Sequence, residues 1–148
     1  MPISRGQLVL VVEDNPDDEA LTLRAFRKTR RSTRIVVVRD GVDALDWLFA
    51  TGHHAGRGLD LWPQVILLDL KLPKIDGLEV LRRIRSDPRT ELLPVVVVSA
   101  SNEESDIVHA YRAGASGYIR KPVDFIHFTQ AMEQFAAYWL DLNLPPPG

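Results

Sequence analysis

The sequence predicts a doubly wound α/β fold, a mostly parallel sheet with helices on both faces. Three observations carry this. Short β-branched runs recur along the chain, they are apolar throughout instead of alternating, and amphipathic stretches separate them. An unbroken apolar run is what a parallel strand shows when helices cover both its faces. Strict alternation of strand and helix gives a layered sheet with right-handed crossovers.

The first strand is expected over Leu8 to Val12. Asn15-Pro16-Asp17-Asp18-Glu19 then reads as a helix start: a capping residue, proline in the first turn, and acids at the positive end of the dipole. That helix is expected to reach about Arg30, with Ala20, Leu23 and Phe26 inward. Ile35 to Val38 is the second strand, and Asp40-Gly41 opens a helix with Val42, Leu45, Leu48 and Phe49 inward. Val65 to Leu68 is the third strand, followed by a helix from Gly77 to Arg85 that buries Leu78, Leu81 and Ile84. Val95 to Val98 is the fourth, and Asn102-Glu103-Glu104 starts a helix that Ala113-Gly114 ends. Gly117 to Arg120 is a weaker fifth strand, and Asp124 begins a helix running to about Leu142. Two segments fall outside the pattern. The connection 50–63 is long for its type and carries His53-His54 and three glycines. The ending Leu144-Pro145-Pro146-Pro147-Gly148 cannot be helical and is expected to run extended as polyproline II.

The chain has 148 residues, enough for one compact unit, with a core expected over about 7–140 and a proline-rich tail over 141–148. The net charge of −2 argues against a nucleic-acid partner, so no DNA binding is expected. Without any Cys, disulfides and thiolate metal sites are excluded. The chain does not open on a signal-peptide-like run. No apolar stretch approaches the roughly 18–20 residues that span a bilayer. A cytoplasmic protein with no membrane partner is the expectation.

Chemistry concentrates at the strand ends. The first strand ends in Glu13-Asp14, the third in Asp69, the fourth in Ser99-Ala100-Ser101 and the fifth in Lys121-Pro122. In a parallel sheet these positions share one edge, where such folds bind ligands. Three carboxylates in one cleft repel and resist burial. A hard divalent cation offsets that charge, and few carboxylates with retained waters suit Mg²⁺. With Lys121 adding an ammonium and Ser99 a hydroxyl, the cluster suits a phosphoryl group.

These residues bear a family resemblance. Val11-Val12-Glu13-Asp14-Asn15, Leu67-Leu68-Asp69-Leu70-Lys71-Leu72-Pro73, Asp76-Gly77, Val98-Ser99-Ala100 and Ala113 to Pro122 are similar to the receiver domain of bacterial two-component response regulators. The resemblance implies a flavodoxin-like (βα)5 fold with strand order 2-1-3-4-5, and it covers roughly residues 7–140. It implies Asp69 as phosphoacceptor. Glu13, Asp14, Asp69 and the Lys71 carbonyl would hold Mg²⁺, and Ser99 and Lys121 would bind the phosphoryl group. It further implies a cis peptide between Lys121 and Pro122, and Tyr118 as a switch residue acting with Ser99. Lys71 and Ser101, each two places past a key residue, are where the family tunes phosphoryl lifetime. Glu13 departs from the commoner Asp, and Ser99 from the commoner Thr.

A narrower resemblance, to the small regulators paired with bacterial phytochrome histidine kinases, rests on three stretches. These are Val12 to Asp18, Leu70-Lys71-Leu72-Pro73-Lys74, and the ending Tyr138-Trp139-Leu140 to Gly148. It implies such a kinase as partner and light as the stimulus. As no output domain follows, signalling to a downstream protein is expected. The aromatic stripe Phe128, Phe135, Trp139 and Leu142 suggests a homodimer interface, with the tail reaching across.

Blander and rival readings exist for several features. His53-His54 reads as a solvated loop, since adjacent histidines share no helical face. The basic stretch Arg24, Arg27, Lys28, Arg30, Arg31 and Arg34 reads as a solvated helix face or a contact for an acidic kinase surface. A phosphatase with Asp69 as nucleophile would want an acid two residues on, where Lys71 stands. A receiver-like module that no longer accepts phosphate would need a broken cluster, and this one is intact. A phosphate sink or relay intermediate keeps the same chemistry, and the sequence leaves it open.

Overall fold

The computed structural model describes residues 7–29, 33–58 and 61–147. Five strands, β1 (Gln7–Val12), β2 (Thr33–Val38), β3 (Val65–Asp69), β4 (Val95–Ser99) and β5 (Gly117–Arg120), form one sheet. Between and after them lie α1 (Pro16–Lys28), α2 (Gly41–Phe49), α3 (Gly77–Ser86), α4 (Glu104–Arg112) and α5 (Phe125–Ala136). All strand pairs are parallel, in the order β2-β1-β3-β4-β5. This is the flavodoxin-like receiver fold and order that the resemblance implies.

Alternation along each strand feeds two separate cores. Leu8, Leu10, Val12, Ile66, Leu68, Val95 and Val97 point to the face covered by α2, α3 and α4, where they meet Leu45, Leu48, Leu81 and Ile84. Val9, Val11, Val65, Leu67, Val96 and Val98 point to the face covered by α1 and α5, where they meet Phe26, Phe128, Met132 and Phe135. The edge strands β2 and β5 are only half-buried along most of their length, which matches the weaker signal of the fifth run.

Several helical faces are rotated from expectation. In α1 the buried residues are Thr22, Ala25 and Phe26, while Ala20 is exposed. In α2, Ala44 and Trp47 point inward with Leu45 and Leu48, and Val42 is exposed. The largest revision concerns the proposed dimer stripe. Phe128 and Phe135 are each 3% exposed within the single chain, so they are core and unavailable to a partner. Phe135 meets Phe26 of α1 edge to face at 5.9 Å, a geometry that aromatic quadrupoles favour. Trp139 is half-buried under the same core, leaving Tyr138 and Leu142 exposed beside it.

The chain winds on past α5 as one wider, π-type stretch, Ala137–Leu142, and then extends. Pro145, Pro146 and Pro147 are exposed and run along the chain's own body. There they wall a cavity of about 430 Å³ with Trp62, Leu92 and Pro94. The long second connection is also ordered from within. Arg57 lies 3.8 Å over the Trp47 ring and donates to the carbonyls of Trp47, Leu48, Gly58 and Leu61. It thereby satisfies carbonyls at the end of α2 that the helix leaves unpaired. Arg30, Arg31 and Asp60 lie outside the described residues.

Candidate functional site

Strand register sets the site. β1 lies between β2 and β3, so the chain's direction of travel across the sheet reverses there and opens a crevice at the strand ends. Glu13 and Asp14 follow β1 directly, and Asp69 is the last residue of β3. Asp69 pairs with Val98, which places Ser99 one step further along on β4. Ser99 in turn pairs with Arg120, and the Lys121 N–H donates to the Ser99 carbonyl at 2.8 Å. The predicted residues therefore converge.

Glu13, Asp14 and Asp69 each offer a carboxylate oxygen, all within 4.8 Å of one another. Lys121 Nζ lies 2.9 Å from Glu13 Oε1 and 2.9 Å from Asp69 Oδ2. It also lies 2.8 Å from Asp18 Oδ2. Burial, then the neighbouring Asp69 carboxyl, push the Glu13 carboxyl up to about 7, although Lys121 pulls the other way. Burial pulls the Lys121 ammonium down. Its bonds to Asp18, Glu13 and Asp69 outweigh this and hold it charged well above its ordinary range. One ammonium is thus shared among more negative charge than it can balance. A crowded set of hard oxygens with that deficit fits a divalent cation of the Mg²⁺ type.

The surrounding loops are shaped for this cluster. Gly77 opens α3 against the end of β3, and a Cβ there would fall 2.4 Å from the Asp69 carbonyl. Gly41 does the same for α2 against Ile75, at 2.1 Å from its carbonyl. Both follow capping aspartates, Asp40 and Asp76, whose side chains accept from Asp43 N and Glu79 N. The Lys71 N–H donates to Asp69 Oδ1 at 3.1 Å and fixes the carboxylate's rotation.

Ser99 is buried, and its Oγ accepts from Ser101 N at 3.2 Å. Ser101 Oγ donates to Asp106 Oδ2 at 2.5 Å, and the Ser101 carbonyl accepts from the Tyr118 hydroxyl at 3.0 Å. Ser99 and Tyr118 are therefore joined through Ser101. This relay could not be read from Ser101 alone. The Lys121–Pro122 peptide is trans, not cis as the resemblance implies, since no cis bond occurs among the described residues. Trans is the intrinsically favoured form by about 0.5–1 kcal/mol, and Lys121 reaches all three carboxylates from it.

Two features resolve as structural. His54 Nε2 pairs with Asp43 Oδ1 at 2.8 Å and pins the second connection to α2. Arg24 and Lys28 lie over the Phe125 ring, at 4.8 Å and 5.9 Å, which ties the basic face of α1 to the start of α5. Asp18 is the site residue that sequence reading placed only as a helix-start acid. Its place in the first turn of the helix that leaves the Glu13-Asp14 corner does not by itself set it apart from Asp17.

Comparison with known proteins agrees with this geometry. Residues 9–133 match the response regulator receiver domain family. The probable methanogenesis regulatory protein FilR2 of Methanothrix harundinacea is 40% identical over 139 residues, 94% of this chain and 87% of FilR2. The phosphorylated cyanobacterial phytochrome response regulator RcpA superposes with a TM-score of 0.89 at 37% identity, covering 96% of this chain and 99% of RcpA. The Mn²⁺-bound response regulator Rcp1, from Synechocystis, superposes at 0.88 with 29% identity, covering 95% and 99%.

Proposed function

We propose, from the premise that this chain belongs to the response regulator receiver family, that it accepts a phosphoryl group on Asp69 from a histidine kinase. The observation that carries this is the convergence at Asp69: two further carboxylates within 4.8 Å and an ammonium at 2.9 Å. In the transfer an Asp69 oxygen attacks the phosphorus of a phosphohistidine. The O–P bond forms, the N–P bond breaks, and its electron pair returns to the imidazole nitrogen. Lys121 donates to a phosphoryl oxygen and the Ser99 hydroxyl to another, while the Lys71 N–H keeps Asp69 turned for attack. Glu13, Asp14, Asp69 and the Lys71 carbonyl would hold Mg²⁺, which supplies charge neutralisation for the phosphoryl oxygens. The Mn²⁺ of Rcp1 supports a divalent ion at such a site. The protein is then a phosphoacceptor with self-catalysed transfer and hydrolysis, with no separate substrate to turn over.

The partner we assign is a bacterial phytochrome kinase, on the likeness to the phytochrome response regulator RcpA across nearly the whole chain, and the place of action we assign is the cytoplasm. Output passes to a downstream protein through the Ser99–Ser101–Tyr118 relay and α4, which presents Val108 and Tyr111 to solvent. We also propose that the chain self-associates through its exposed end, at Tyr138, Leu142 and Leu144. A monomeric mass in light scattering, with and without phosphorylation, overturns it.

The test is intact mass after incubation with acetyl phosphate and Mg²⁺, beside Asp69→Asn and metal-free controls. One phosphoryl increment, lost in both controls, is expected. No increment from acetyl phosphate or from a phosphorylated kinase, with the fold intact, overturns the proposal in favour of a binding module that takes no phosphate.

A further inference from the structure

Lys121 has one more anionic partner than phosphoryl binding calls for. Its three ammonium protons face three carboxylates, those of Glu13, Asp69 and Asp18, at 2.8–2.9 Å. Glu13 and Asp69 belong to the group that can hold a cation, and Asp18 does not. Its side chain is 25% exposed, against 10% for Asp69, so it closes the outer side of the ammonium.

Local structure delivers it there. Asn15 Oδ1 accepts from Asp17 N at 2.9 Å and from Asp18 N at 3.1 Å, which caps α1. The Asn15 N–H donates to Glu13 Oε2 at 3.2 Å and fixes the same corner to the cluster. With Pro16 as the first helical residue, Asp18 stands third in the helix with its carboxylate on Lys121. Asp17, next to it, is exposed and makes no ion pair with Lys121. A helix N-terminus attracts any acid, but only Asp18 is spent on the site lysine.

We infer that Asp18 is a positioning residue that holds the Lys121 ammonium in the resting site and competes with the phosphoryl group for it. The inference rests on the phosphoacceptor reading above. A phosphoryl group on Asp69 carries up to two negative charges and extends beyond the carboxylate it replaces. Lys121 must follow it outward, and Asp18 both restrains that movement and repels the incoming charge. Asp18 therefore weakens the hold on the phosphoryl group and shortens its life, while keeping the ammonium charged and in place when the site carries none.

The experiment is binding of beryllofluoride, a non-covalent phosphoryl mimic, at saturating Mg²⁺, measured by calorimetry on wild type, Asp18→Asn, Asp18→Glu and Asp17→Asn. Asp18→Asn is expected to bind on the order of tenfold more tightly, the scale of one charge-assisted hydrogen bond, and to keep acetyl-phosphate-derived phosphate several-fold longer. Asp18→Glu should stay near wild type. Asp17→Asn removes the same charge one residue away and should shift affinity less than about twofold, because an exposed charge is screened. Equal or weaker binding by Asp18→Asn overturns the inference, as does an equal gain in Asp17→Asn. A wild type that binds beryllofluoride and is phosphorylated leaves the phosphoacceptor reading standing in either case. A wild type that does neither defeats that reading and this inference with it.

Discussion

Replacing Glu13 with glutamine should stabilise the metal-free protein, and by an amount that grows with pH. Glu13 is 6% exposed and its carboxyl is pushed up to about 7, burial being the first cause and Asp69 the second. Its ordinary value is 4.5. Because the folded-state value is raised, this group's contribution to stability is fully present below about 4.5 and is lost as pH rises through about 7. The gap corresponds to about 3 kcal/mol at about 1.36 kcal/mol per pH unit, and residual solvent reduces it to about 2 kcal/mol. Glutamine keeps the shape and cannot ionise, so Glu13→Gln does not suffer that loss. Urea unfolding with a chelator present, at pH 5 and pH 8, reads the difference directly. The stability of Glu13→Gln minus that of wild type should widen by about 2 kcal/mol from pH 5 to pH 8. Added Mg²⁺ should narrow the gap at pH 8, since it binds the native carboxylate cluster and stabilises it by mass action. A gap that is constant with pH, or one that shrinks towards pH 8, would show that charge crowding at Glu13 is not what the fold resists.

Other perturbations probe the frame of the site. Gly77→Ala places a methyl 2.4 Å from the Asp69 carbonyl, so it should cost about 1–3 kcal/mol in chemical denaturation and slow phosphorylation at Asp69. Unchanged stability and rate would mean that α3 can slide off the end of β3. Thr129 Oγ1, buried in α5, is the one orphaned side-chain polar atom among the described residues. Thr129→Val should therefore raise stability by about 1 kcal/mol, and a loss of similar size would reveal a hydrogen bond to that hydroxyl. Lys71→Ala should shorten the life of the aspartyl phosphate, because an exposed cation two residues past Asp69 can shield the phosphoryl oxygens from water. An unchanged half-life in a phosphate-release assay removes Lys71 from that role.

The sequence by itself determined the alternation of strand and helix, the parallel sheet, and the set Glu13, Asp14, Asp69, Ser99 and Lys121. Each of these was legible for one local reason: a polar group directly after an apolar run marks a strand's end, and parallel strands bring such ends to one edge. The glycines at 41 and 77 were legible as helix starts, but not as the close contacts that seat α2 and α3. What only the tertiary structure decided was the use of each helical face. A helical stripe of aromatics looks the same whether it meets a sheet or a partner, and the packing of α5 on α1 assigned Phe128 and Phe135 to the core. The same limit hid Asp18. Its place beside Lys121 joins residues 103 positions apart in the chain, and no local pattern records a contact that long-range packing creates. Arg57 gives the last case: its guanidinium serves four carbonyls of α2 and the second connection, which come into reach only when that connection folds back over Trp47.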